Sequence, residues 1–99
     1  MNEPQIISDQ LVGDTRLLHI GTCPVVCSRE IAVLVRNNII EKVEYCGGCH
    51  GNTQGIAALL KGMTVSDAIS RLKGINCKGK GTSCPDQLAR GLEKVFTNL

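Results

Sequence analysis

The chain has 99 residues, a formal net charge of +2, one tyrosine, one phenylalanine and no tryptophan. That length suits a single domain with one modest core, which has to be built from Ile, Leu, Val and Ala. So small a charge and so few aromatic side chains argue against a nucleic-acid partner, whose bases want stacking platforms, and against a charge-driven membrane partner.

Residues 1–15 are polar and mixed, and read as an irregular N-terminal arm ahead of a domain spanning 16–99. No basic start followed by an apolar run opens the chain, and no apolar segment reaches the length of a membrane span, so a cytoplasmic location is expected. RLLHI (16–20) reads as a short strand. In REIAVLVR (29–36) Ile31, Val33 and Val35 alternate with other positions, the period of a strand with one buried face. Asn37-Asn38 suits a two-residue turn with positive backbone angles, and IIEKVEY (39–45) returns with Ile39, Val43 and Tyr45 expected on one face, which completes a β-hairpin.

From Asn52 the period becomes helical, with Ile56, Leu59, Leu60 and Met63 on one stripe and Gly62 as the stop. TVSDAISRLK (64–73) is a second helix, capped by Thr64 with Asp67 three residues on, and apolar at Val65, Ala68, Ile69 and Leu72. GINCKGKGTS (74–83) is a glycine- and lysine-rich loop. A third helix follows, with Ser83 as N-cap, Pro85 in the first turn, and Leu88, Leu92, Val95 and Phe96 as its apolar face. Strands first and helices afterwards predict an α+β domain, a short antiparallel sheet carrying three helices on one face.

The chemistry sits in six cysteines. Without an export signal they are expected to be reduced, and clustered cysteines in a reducing compartment bind metal or do redox work. Cys27 precedes the hairpin, Cys46 and Cys49 lie at its far end, Cys77 lies in the loop before the third helix, and Cys84 opens that helix. Thiolates are strong soft ligands for zinc and for iron-sulfur clusters, and tetrahedral sites commonly use four of them. Helix-start positions such as Cys49 and Cys84 favour deprotonation, which suits a redox thiol equally well. In CGGCHGNTQG (46–55) Gly47, Gly48, Gly51 and Gly55 permit the tight bends that metal-ligating turns need. The alternative is a hairpin-to-helix turn that carries sulfur without a ligand. A phosphate loop is excluded, because neither G-x-G-x-x-G nor GK[ST] is present. His50 is a candidate ligand or a residue beside the ligands, whereas His19 reads as a strand residue.

The runs VCSREI (26–31), GGCHGNTQGI (47–56), GINC (74–77) and TSCPDQLARGL (82–92) resemble the TSCPD domain family over roughly residues 16–97. That family occurs as small standalone proteins and as a C-terminal module of certain ribonucleotide reductases. The resemblance implies that Cys27, Cys49, Cys77 and Cys84 are its characteristic cysteines and that Asn52 and Gly55 form its GN-x-x-G turn. Cys23 and Cys46 have no counterpart in it and stand as additional thiols. His50 and Asn52 are placed beside the ligands. A more distant similarity, to the scaffold proteins of iron-sulfur cluster assembly, implies a fold in which cysteines from three loops converge at one end. Ser28 departs from that pattern, which has aspartate close after the first cysteine.

The expectation is therefore a zinc-binding domain, or alternatively an iron-sulfur one, accessory to or derived from a ribonucleotide reductase. Two rivals stand beside it. One is a thiol accessory passing reducing equivalents to such a reductase; the other is a structural docking module whose basic edge is the lysines of GINCKGKG (74–81), Lys78 and Lys80, which form a local basic stretch with Lys73.

Overall fold

The computed structural model describes residues 3–23, 28–47, 50–75 and 81–96, with the side chains of residues 28 and 50–52 outside the description. Among the described residues four strands, β1 Gln5–Val12, β2 Thr15–Gly21, β3 Ser28–Arg36 and β4 Ile39–Gly47, form one antiparallel sheet in chain order. Helices α1 His50–Leu60, α2 Val65–Leu72 and α3 Cys84–Val95 follow. This is the α+β order expected from the change of period along the sequence.

The turn chemistry explains the meander. Asn37 and Asn38 both take positive φ, 52° and 62°, the geometry that matches the right-handed twist of the flanking strands. Gly13 takes φ 61° in the two-residue turn between Val12 and Thr15, where glycine adopts the left-handed region without a Cβ penalty.

Residues 5–12 are a strand, and not the irregular arm that their polar composition suggests. The reason is a register shift: Ile6 pairs with Ile20 and Ser8 with His19, so Ile7 is an extra residue that interrupts the alternation. Ion pairs fasten this end, Asp9 to Arg16 at 2.9 Å and Glu3 to Arg90 at 3.5 Å. The Arg16 guanidinium also lies 5.3 Å from the centre of the Phe96 ring.

A second shift moves the inward position of β4. Leu34 pairs with Lys42 but Val35 with Ile40, so Ile40 is fully buried and Ile39 is exposed, the reverse of what alternation predicts. The start of β4 is then stitched to the α1–α2 connection: the Ile40 N–H donates to the Met63 carbonyl at 2.8 Å, and the Gly62 N–H to the Ile40 carbonyl at 2.7 Å.

One face of the sheet packs on the helices, through Leu18, Ile20, Ile31, Val33, Val35, Ile40 and Val43 against Leu60, Val65, Ala68, Leu88 and Leu92. Thr64 caps α2 as expected, accepting from the Asp67 N–H at 3.1 Å. On α1 the buried stripe runs through Thr53 and Leu60, while Leu59 is 76% exposed and outside the core. Helix and sheet approach closely at Gly91, where a Cβ would meet Ile20 Cδ1 at 2.5 Å and its Cγ1 and Cγ2 at 2.9 Å.

Gly91→Ala gains about 1 kcal/mol of helix propensity but forces the fully buried Ile20 aside, at about 1–3 kcal/mol. Urea denaturation should show a lower midpoint with unchanged slope, a net loss of about 1 kcal/mol. An unchanged or higher midpoint would mean that α3 and β2 are not packed this closely.

Candidate thiol centre at the start of the third helix

Cys84 is the first residue of α3 and is partly exposed. Its position is built by the residues around it. The Ser83 hydroxyl accepts from the Asp86 N–H at 3.1 Å, and Pro85 occupies the first turn, where a backbone N–H has no helical partner to lose.

Tyr45, on the inward face near the end of β4, donates its phenolic O–H to the Cys84 carbonyl at 3.2 Å. Burial drives its pKa well above the ordinary phenol range, and electrostatic repulsion from Cys84 adds to the shift. The last rung of the β3–β4 ladder, Ser28 paired with Gly47, lies at the same end of the hairpin. Cys27 is joined directly to Ser28, and Cys49 follows Gly47 by two residues.

Behind Cys84 lies a buried polar cluster. Asp86, Gln87 and Thr82 are fully buried. Gln87 accepts from the Cys23 backbone N–H at 2.9 Å through Oε1, and its Nε2 donates to Thr82 Oγ1 at 3.0 Å. Thr82 donates its hydroxyl proton to Asp86 Oδ2, and Asp86 Oδ1 accepts from the Gly74 N–H at 2.7 Å. Arg90 Nε lies 2.8 Å from Asp86 Oδ2 as an ion pair.

Three cysteines of the sequence expectation, Cys27, Cys49 and Cys77, lie outside the described residues, as do the side chains of His50 and Asn52. Of the four expected ligands, Cys84 is the one described. Among the described residues no group of three His, Cys, Asp or Glu side chains is placed to hold a metal ion. Cys23, Cys46 and Cys84 carry thiols and not disulfides.

The two additional cysteines differ sharply. Cys23 is buried, and its segment is tied to α3 by Gln87. Cys46 is exposed and pairs with Glu30, beside His19, Ala32 and Glu44 on the sheet face away from the helices. It therefore points away from neighbouring Tyr45, which reaches Cys84. An open groove of about 600 Å³ lies between β4 and α1, lined by Val43, Tyr45, Gly47, Thr53 and Ala57 among others.

Of the local basic stretch, Lys73 is engaged by Glu93 at 2.8 Å, and the edge lysines Lys78 and Lys80 lie outside the described residues. Among the described residues no helix is long and apolar enough to cross a membrane.

Sequence reasoning missed Asp86 and Gln87, because polar residues in a helix's first turn ordinarily face solvent and complement the dipole. The available signal was Ala89 and Gly91 beside Leu88 and Leu92, small residues that let the helix bury more than one stripe.

No curated protein and no solved structure matches the chain, so the likeness to iron-sulfur scaffold proteins rests on the order of sequence features alone. The TSCPD domain model matches residues 3–96, which includes β1 and ends with α3. The chain belongs to the TSCPD domain family.

Proposed function

We propose that this chain is a metal-binding domain that holds zinc, with an iron-sulfur cluster as the alternative, through Cys27, Cys49, Cys77 and Cys84. The observation that supports it best is that described residues adjoining these cysteines in the sequence meet Cys84 at one end of the fold. The terminal rung pairs Ser28, next in sequence to Cys27, with Gly47, two residues before Cys49; Tyr45 joins that end of the hairpin to Cys84, and Asp86 holds Gly74, three residues before Cys77. Four thiolates are a donor set that suits zinc, and a site closed by four protein ligands serves structure or recognition. From the family resemblance we further propose that the domain is accessory to, or derived from, a ribonucleotide reductase.

The partial exposure of Cys84 at a capped helix start favours a second reading, a thiol that passes reducing equivalents to such an enzyme. Thiol titration across a redox series separates the two. A redox pair gives a defined two-electron potential, and a metal site loses its metal first.

Elemental analysis of protein purified without oxygen should give about one zinc, or a thiolate-to-iron absorption band, with four thiols protected. Cys84→Ala should abolish stoichiometric metal, while Cys46→Ser on the opposite sheet face should keep it. Full metal in the Cys84 variant, or six reactive thiols and no metal in the parent, would overturn the metal reading.

Tyr45 supports a structural part for this end of the hairpin. Its raised folded-state pKa keeps the hydroxyl protonated as a donor to Cys84. Below about pH 10 both folded and unfolded tyrosine are protonated and contribute no pH dependence. Above it only the unfolded state ionises readily, so stability should fall as pH rises. With one tyrosine and no tryptophan, absorbance at the phenolate band reads this residue alone. Ionisation should coincide with unfolding by circular dichroism; a phenolate forming in folded protein near pH 10 would remove Tyr45 from the contact.

A further inference from the structure

We propose that Asp86 and Gln87 are positioning residues for the thiols: they set how the Cys23 segment, the segment leading to Cys77 and the start of α3 sit relative to one another. This rests on the reading that these thiols act together, whether on metal or in redox exchange.

The hydrogen bonds form one directed chain. The Cys23 N–H donates to Gln87, Gln87 to Thr82, and Thr82 to Asp86, which also accepts from Gly74. Gln87 uses both ends of its amide, oxygen toward Cys23 and nitrogen toward Thr82. Thr82 has a single proton, and it goes to Asp86. Turning the Gln87 amide round breaks both of its bonds in the chain at once, and full burial keeps water from replacing them.

The contacts join parts of the chain that are far apart in sequence, 64 residues for Cys23 to Gln87 and 12 for Gly74 to Asp86. Both anchored points stand just before cysteines. Four residues reach at most about 14 Å and three about 11 Å, so fixing Cys23 and Gly74 limits the space open to the Cys27 and Cys77 thiols. Hydrophobic packing of Leu88 and Leu92 would hold α3 on the sheet without these bonds, but it is non-directional and would not fix those two segments. A thiol site requires that extra precision, because metal affinity depends on the groups that orient the ligands as well as on the ligands themselves.

The test uses the full chain purified without oxygen, with Gln87→Leu, which keeps bulk and removes both hydrogen bonds. Thr82→Val, which breaks the chain one link away, serves as a milder second variant. The first readout is the rate of N-ethylmaleimide labelling at Cys23 relative to Cys46 in the same molecule, resolved by peptide mass spectrometry. Leaving the Cys23 N–H unpaired should raise that ratio about tenfold in Gln87→Leu, with a smaller rise in Thr82→Val. The second readout is the visible spectrum of the cobalt-substituted protein, whose ligand-field bands should shift while cobalt affinity falls about 10- to 100-fold.

If Asp86 and Gln87 only stabilise the helix, the variants melt at lower temperature but keep the parent labelling ratio and cobalt spectrum, and the proposal is wrong. If the parent binds neither zinc nor cobalt, the metal reading fails, and the labelling ratio alone decides the positioning role. Should Gln87→Leu not fold, an unchanged ratio in folded Thr82→Val overturns the proposal.

Discussion

Two polar side chains in the first turn of α3, Asp86 and Gln87, are fully buried in a chain with one modest core. Removing a carboxylate from water is unfavourable unless hydrogen bonds and an opposite charge replace the hydration. Here the replacements are Gly74, Thr82 and Arg90 for Asp86, and Cys23 and Thr82 for Gln87. The fold must therefore bring the end of α2, the loop before α3 and the segment after β2 to the same place. Gly74, with φ 91°, turns the chain at the end of α2. The Thr22 N–H donates to the Arg29 carbonyl at 3.0 Å, holding the two sides of the β2–β3 connection together beside Cys23.

Apolar packing accounts for the rest of the architecture with less specificity. The helix face of the sheet is a row of branched aliphatics, and such a surface accepts neighbouring helix positions with small changes in energy. The polar cluster removes that freedom at one end. Tyr45 adds a second fixed point there, joining the β3–β4 hairpin to the carbonyl of Cys84. At the opposite end of the hairpin, Ile40 and Met63 stitch β4 to the connection between α1 and α2. The sheet is thus tied to the helices at both ends of β4, and Cys23 and Cys84 lie at the end where the ties are polar.

Much of this was legible in the sequence wherever one local rule decided the structure. Asn37-Asn38 specified its turn, and Thr64 and Ser83 specified their caps. Leu88 and Leu92 marked the buried side of α3, and Cys84 marked its start. The misses share a cause, which is that non-local pairing overrides local pattern. Ile7 and Glu41 are extra residues in their ladders, so alternation misplaced Ile39 and hid β1 altogether. Glu3, paired with Arg90 and Lys94, makes the N-terminus part of the domain, in keeping with a family match that begins at residue 3. Asp86 and Gln87 looked like solvated helix-start residues because their partners lie up to 64 positions away.

The candidate site shows the same contrast between spacing and placement. Cys46-Gly-Gly-Cys49 has the spacing of a paired-thiol motif, yet Cys46 belongs to a strand, where successive side chains take opposite faces. Tyr45 faces inward to the Cys84 turn, so Cys46 faces outward beside Glu30 and His19. A two-residue gap brings thiols together when both lie on one turn, and the strand ending at Gly47 separates Cys46 from such a turn. Cys23, which no spacing motif singles out, is instead buried and drawn to α3 by Gln87. For these two described thiols placement follows strand alternation and the polar cluster's hold on the backbone, and the interval between cysteines in the sequence is a poor guide to it.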